Sequence, residues 1–223
     1  KTLGVFASDA EAKAAGKDGY LYQVDKTGAR QEFKAGDVHF ADLNGDGIIS
    51  DADKTIIGNP NPDVYGNMFA RATWGNFTLS AVFSYSLGND IFNYQRSVLE
   101  GGKNFYNQTT AMVNRWRNEG QVTNVPRISY NDEIGNSRFS DRWIEDGSYL
   151  RLRSLNLNYK VPVNFSWLQG LQVWVEANNL FTITKYLGGD PEMSAANAVL
   201  SQGIDTGCVA PGRAFTVGLK INL

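Results

Sequence analysis

AFTVGLKINL, residues 214–223, closes the chain in strict alternation: Phe215, Val217, Leu219, Ile221 and Leu223 interleave with Thr216, Gly218, Lys220 and Asn222. Successive side chains of a strand point to opposite faces, so this pattern predicts a strand with one apolar and one polar face. The same grammar recurs upstream. Met68, Ala70, Ala72 and Trp74 share one phase, and Gly75-Asn76 follows as a two-residue hairpin signal. Phe77, Leu79, Ala81, Phe83 and Tyr85 share a face of the next strand, with Thr78, Ser80, Ser84 and Ser86 opposite. Leu150 and Leu152 then lie in one phase and Leu155, Leu157 and Tyr159 in the other. One extra residue exchanges the two faces, so a β-bulge is expected near Arg153-Ser154. After a turn over Pro162 to Gly170, Leu171, Val173, Val175 and Ala177 alternate with Gln172, Trp174, Glu176 and Asn178. These strands are about as long as the roughly 9–11 residues that a tilted strand needs to cross a bilayer.

Composition narrows the function classes. The net charge of -2 over 223 residues leaves no basic footprint for nucleic acid. A single cysteine, Cys208, excludes an internal disulfide framework, and a single histidine, His39, leaves zinc or triad chemistry without the partners it requires. His39 is read as an ordinary loop or strand residue. No run of about 18 apolar residues exists, so no helix is expected to cross a membrane; a β-barrel, apolar on one face of each strand, is compatible with that. The first residues, KTLGVFASDAEAKAAGKDG, do not form a signal peptide, and any export address is expected upstream of Lys1.

Residues 1–64 read as a polar excursion. Ser8 to Gly16 predicts a short helix with Ser8 as cap, and Tyr20 to Val24 with Arg30 to Phe33 predicts a hairpin. Asp42 to Asp53, DLNGDGIISDAD, carries the sharpest local chemistry. Asp42, Asn44 and Asp46 place oxygens at positions 1, 3 and 5 of a calcium loop, Gly47 supplies the turn at 6, and Ile48 offers its carbonyl at 7. Ser50 stands at 9 and Asp53 at 12. No amphipathic helix precedes the loop and its closing residue is Asp rather than Glu, which suits a structural calcium ion better than a sensor. The metal-free alternative is an Asp/Asn/Gly turn.

Residues 65–223 hold the five long strands. Between them, about Gly88 to Gly147 lacks sustained alternation, with a short helix expected over Thr110 to Asn118, and Tyr186 to Arg213 forms a second long connection. Connections this long are unusual in a compact domain. Long loops on one rim and tight turns on the other are the normal asymmetry of an outer-membrane barrel, with the long loops extracellular and the carboxy terminus at the periplasmic rim. The expected fold is therefore all-β: an antiparallel transmembrane β-barrel segment of about five strands that does not close by itself.

Five segments in order, GDVHFADLNGDGIISDADKTIIGNPNPD, SYSLGNDIFN, SDRWIEDGSYLRLRSLNLNYKVP, VEANNLFTITKYLGGDPE and PGRAFTVGLKINL, cover most of the chain from Gly36 onward. Together they resemble the carboxy-terminal part of SusC/RagA-type TonB-dependent transporters of the Bacteroidetes outer membrane. The resemblance implies a large plugged barrel in outer-membrane lipid that imports glycan fragments or peptides with a SusD-like surface lipoprotein. It also implies coupling to TonB through an amino-terminal part that is missing here. Leu223 departs from the aromatic residue with which such barrels commonly finish.

A competing reading from another class is a soluble calcium-dependent carbohydrate-binding β-sandwich, closed and with both sheet edges covered. An enzyme has little support: the carboxylates of Glu145-Asp146 would point to opposite faces of a strand, and Asp146-Gly147 reads as a turn. Phe105, Tyr106, Trp116 and Tyr130 in the long loop either pack that loop or stack on sugar rings.

Overall fold

The computed structural model describes residues 1–164, 167–195 and 199–222. The middle of the Pro162 to Gly170 turn, part of the 186–213 connection and the last position of the 214–223 strand lie outside the described residues. Backbone contacts divide the chain into two units, Lys1–Gly58 with Phe92–Glu145, and Asn59–Ile91 with Asp146–Leu223.

In the first unit, β1 (Thr2–Val5) is followed by α1 (Asp9–Ala14), whose cap is the expected one: Ser8 Oγ accepts from the Glu11 amide at 3.2 Å. β2 (Tyr22–Val24) and β3 (Arg30–Glu32) form the expected hairpin. Asp25 closes its turn, accepting from the amides of Thr27 and Ala29 and from the Thr27 hydroxyl; these bonds hold its carboxyl below the usual carboxylate range. β4 (Val38–Phe40) pairs antiparallel with β1, an association of short distant strands that alternation does not announce. Phe6, Leu21, Phe33, Val38, Phe40, Ile49 and Ile134 form the core of this unit. Its second segment, 92–145, is anchored by the fully buried Asp37, which accepts two bonds from Arg127, at 2.7 and 3.0 Å, and one from Asn136 at 2.9 Å. The expected helix over Thr110 to Asn118 is only a 3-10 turn, Thr110–Asn114. Trp116 leaves the helical path because its indole N–H donates to the Ala7 carbonyl at 3.1 Å and its backbone amide to Val125. Tertiary bonds outweigh a short helix that nucleates poorly.

The second unit is built on β5 (Val64–Trp74), β6 (Phe77–Leu87), β9 (Tyr149–Val161), β10 (Gly170–Thr184) and β12 (Ala214–Asn222). The intervening short strands are β7 (Asp90–Asn93), β8 (Ile144–Asp146) and β11 (Ile204–Asp205). The five long strands form one antiparallel sheet of order β12-β10-β9-β6-β5. Gly75, with φ +55, takes the first position of the two-residue β5–β6 turn, where positive φ is required. The bulge falls where the phase slip places it: Val82 pairs with Ser154 and Phe83 with Leu152, leaving Arg153 as the extra residue. On β10 the register shifts opposite it, between Asn178 and Phe181, with Asn179 at φ +53.

This register assembles two chemically opposite faces. Trp74, Phe77, Tyr159, Val173 and Leu219 lie in one row across the sheet; Ala72, Leu79, Leu157, Val175 and Val217 lie in the next; Ala70, Ala81, Leu155, Ala177 and Phe215 follow. On the other face, Arg71, Ser80, Asn156, Glu176 and Thr216 make one row, and Asn67, Ser84, Arg151 and Thr182 another. The apolar face is not covered by the chain: Phe215, Val217 and Leu219 are 70%, 74% and 59% exposed. Among the described residues no strand pairs beyond β12 or β5, so the sheet is open at both edges. A closed sandwich with covered edges is not what these residues form.

Candidate functional site

Three features of the chain could carry function: the two-faced sheet, the ionic network on its polar face, and the acidic loop 42–53. The sheet follows from the alternation already described. Strands of 9 to 15 residues carry apolar side chains on one side at heights matched by the register. A contiguous exposed apolar patch of this kind marks contact with a non-aqueous neighbour.

On the polar face, the upper ends of β6, β9 and β10 hold an ionic network. Arg151, 4% exposed, donates to Asp190 at 2.5 Å, to Glu192 at 2.5 Å and to Thr182 at 2.8 Å. The Tyr149 hydroxyl donates to Glu192 at 2.5 Å, and Arg153 pairs with the same carboxylate while its Nε donates to Ser84 at 3.0 Å. Tyr149, Arg151 and Arg153 fall on one face of β9 by simple alternation, so Glu192 is held by two guanidiniums and a phenol. Asp190 and Glu192 belong to the 186–213 connection, which is thus bound to the strands by buried charge. Tyr186, donating to the buried Asp205 at 2.6 Å, fixes the same connection further along. Sequence reading did not single out this network. Its signal was two arginines beside the phase slip, but their partners lie some 40 residues away and only the fold brings them together. Beside the network a groove of about 390 Å³ is lined by Tyr65, Asn67, Ser84, Ser86, Asn89 and Tyr149, with Arg153 and Glu192 at its end.

The loop 42–53 folds on its own carboxylates. Asp42 accepts the amides of Gly45 and Gly47 at 2.7 and 2.8 Å, Asn44 accepts that of Asp46 at 3.0 Å, and Asp46 accepts that of Ile48 at 2.7 Å. Gly45 and Gly47 adopt φ +72 and +82. Asp53, 6% exposed, accepts from Leu43 and from Ser50, each at 2.8 Å, and so closes the loop end to end; Ser50 caps the following turn through Ala52. Ile48 bridges to Tyr22. Each carboxylate oxygen that accepts one amide retains a further lone pair, so the hard oxygen donors suited to calcium are present. The Asn44 amide donates to Asp46 at 2.9 Å, and that bond has to open if both side chains turn their oxygens to a cation. Among the described residues, no three His, Cys, Asp or Glu side chains are gathered as a metal cage.

The loop aromatics divide. Trp116 packs within the first unit, where a Cβ on Gly36 would meet its ring at 2.4 Å, whereas Phe105, Tyr106 and Tyr130 are 90%, 68% and 61% exposed. His39 stacks on Phe6 at 4.3 Å, and burial lowers its pKa.

No family model matches the chain. It is 37% identical over 190 residues to TonB-dependent receptor P3 of Formosa agariphila, an alignment covering 82% of this chain and 18% of that receptor. It is 27% identical over 206 residues to TonB-dependent receptor P26 of the same organism, covering 89% and 21%. Against TonB-dependent receptor SusC of Bacteroides thetaiotaomicron the identity is 28% over 194 residues, covering 82% and 17%. The chain therefore spans about a fifth of the length of these relatives. Its fold matches the RagAB peptide importer in the 'closed-closed' state with a TM-score of 0.67 at 24% identity, over 99% of this chain and 22% of that one. A second RagAB structure, of the peptide transporter, gives 0.68 at 22% identity over 91% and 24%. The two-faced open sheet, the register that builds it and these likenesses agree: the chain belongs to the SusC/RagA-type TonB-dependent receptors.

Proposed function

We propose that this chain is a stretch of the wall of an outer-membrane importer, its apolar face against lipid and its polar face toward the passage through which a solute moves. The observation that carries this reading is the open five-stranded sheet with one continuous apolar face. In lipid each unpaired backbone group costs several kcal/mol, so edges at β5 and β12 require strands supplied by the rest of the receptor. The two long connections, 88–148 and 185–213, leave the same end of the sheet and are assigned to the extracellular side; the β5–β6 turn and the carboxy end are assigned to the periplasmic rim. The solute is an oligosaccharide or a peptide, taken up together with a SusD-like surface lipoprotein. Energy coupling through TonB is assigned to parts of the receptor outside this chain.

Calcium in the 42–53 loop belongs to the same proposal. Asp42, Asn44, Asp46 and Asp53, with the Ile48 carbonyl and Ser50, would hold it, and the ion would rigidify an external loop. The transport reading is tested by expressing the full-length receptor with and without β12. The intact receptor should fractionate with the outer membrane and support growth on its substrate; deletion of residues 214–223 should abolish assembly. A receptor that stays soluble and monomeric without detergent would refute the proposal.

A further inference from the structure

We propose that the groove on the polar face of the second unit is a ligand subsite for an uncharged, polyhydroxylated ring, that is, a single residue of a neutral oligosaccharide. This rests on the transport reading and narrows it. The groove volume, about 390 Å³, lies toward the lower end of the roughly 300–1,000 Å³ found for small-ligand pockets.

The bonding around the groove determines what it offers. Ser84 Oγ already accepts from Arg153, which leaves its own proton to donate. The Ser86 hydroxyl donates to Asn89 at 2.8 Å, and the Tyr149 hydroxyl donates to Glu192, which leaves both oxygens as acceptors. Asn67 and Asn89 add amide groups that both donate and accept. Donors and acceptors therefore alternate over a short distance, which suits hydroxyl groups, each able to do both. Tyr65, 76% exposed and on the same face as Ser86 and Tyr149, supplies an aromatic platform at the rim.

Charge decides between ligand classes. The acid and base at the end of the groove, Glu192 and Arg153, are paired with each other, and Glu192 is further neutralised by Arg151. A peptide terminus, or a uronate or sulfated sugar, would bring a charge into a groove where two guanidiniums and two carboxylates already balance, and would lose hydration without gaining a net counter-charge. An uncharged ring meets no such cost.

The test uses the purified full-length receptor and three immobilised probe sets: neutral dextrin, laminarin, agarose and xylan oligosaccharides; oligogalacturonates with sulfated oligosaccharides; and a tryptic peptide mixture. Retention of at least one neutral oligosaccharide is expected, weakened roughly tenfold by Tyr65→Ala and preserved within about twofold by Tyr65→Phe, because the ring face rather than the hydroxyl provides the platform. Asn67→Ala should weaken it roughly threefold. Retention of only charged oligosaccharides or peptides, retention of nothing, or neutral binding indifferent to Tyr65→Ala would each overturn the assignment. Outer-membrane fractionation of the same variants separates the two failures. A receptor that assembles normally but binds without regard to Tyr65 sinks the subsite and leaves the wall standing, whereas one that never reaches the membrane sinks both.

Discussion

Arginine placed along β6 should be tolerated or rejected according to face and depth. The strand has 11 residues, so at ~3.4 Å per residue it spans ~37 Å along its axis. Tilted by ~45°, it crosses ~26 Å of membrane, which matches the ~25 Å apolar band of such barrels. Val82 is its midpoint, and each residue away from it moves ~2.4 Å along the membrane normal. Ala81, one residue from the midpoint and in the apolar row with Leu155 and Phe215, should therefore bear nearly the full midplane cost of Arg, ~2–4 kcal/mol. Leu79 lies ~7 Å from the midpoint and should cost less; Phe77, at the rim, should cost ~0–1 kcal/mol. Ser80, between these positions in sequence but in the row of Arg71, Asn156 and Glu176, should accept Arg with little loss. Reversible urea unfolding of the full-length receptor in liposomes gives the four differences directly. Equal costs at Ala81 and Ser80, or a cost that rises from Ala81 toward Phe77, would refute the assignment of faces and depth.

Other outcomes follow from the same structure. Arg151→Ala leaves the buried Asp190 without its guanidinium partner, takes one of two guanidiniums from Glu192, and should destabilise the attachment of the 186–213 connection by ~3–5 kcal/mol, read as new protease cleavage there; unchanged cleavage would show that the network is ornamental. Gly218→Val should cost ~1–3 kcal/mol, because a Cβ there would sit 2.1 Å from the Trp174 ring that crosses it, and Trp174→Ala in the same background should remove most of the penalty. Chelation should raise proteolytic sensitivity around residues 42–53, and Asp42→Asn with Asp46→Asn should abolish the protection that added calcium restores; a loop equally resistant with and without calcium contradicts the ion. The folded pKa of His39 is depressed by burial against Phe6, so the unfolded chain binds its proton first as pH falls. The first unit should lose stability as pH drops through about 6.5, and His39→Phe should flatten that part of the profile in a pH series of melting curves.

The sheet was legible because its residues alternate in a period that only a strand satisfies. Even the bulge was, since Leu152 and Leu155 cannot share a face without an extra residue between them. The Ser8 cap and the hairpin of β2 and β3 were equally local. What the sequence did not disclose depends on distant partners. β1 and β4 are too short to show a period; Arg151 and Glu192 are neighbours only once β9 and the 186–213 connection are placed; and Trp116 ends its helical turn early for the sake of a carbonyl at Ala7. The spacing of Asp42, Asn44 and Asp46 is that of a calcium loop. The structure adds that these same oxygens already hold the loop through backbone amides, so spacing alone does not distinguish an ion-binding loop from a self-capped turn.

The most direct test of the wall is nitroxide scanning of β12 in the full-length receptor in bilayers, with exposed Cys208 and every cysteine elsewhere in the receptor replaced by Ser to leave one label at a time. Labels at 215, 217, 219 and 221 should be accessible to lipid-soluble oxygen and shielded from a water-soluble nickel reagent. Labels at 216, 220 and 222 should show the reverse, giving a period of two over the whole strand. Uniform accessibility to the water-soluble reagent, or a profile without that period, would contradict the placement of this sheet in a membrane wall.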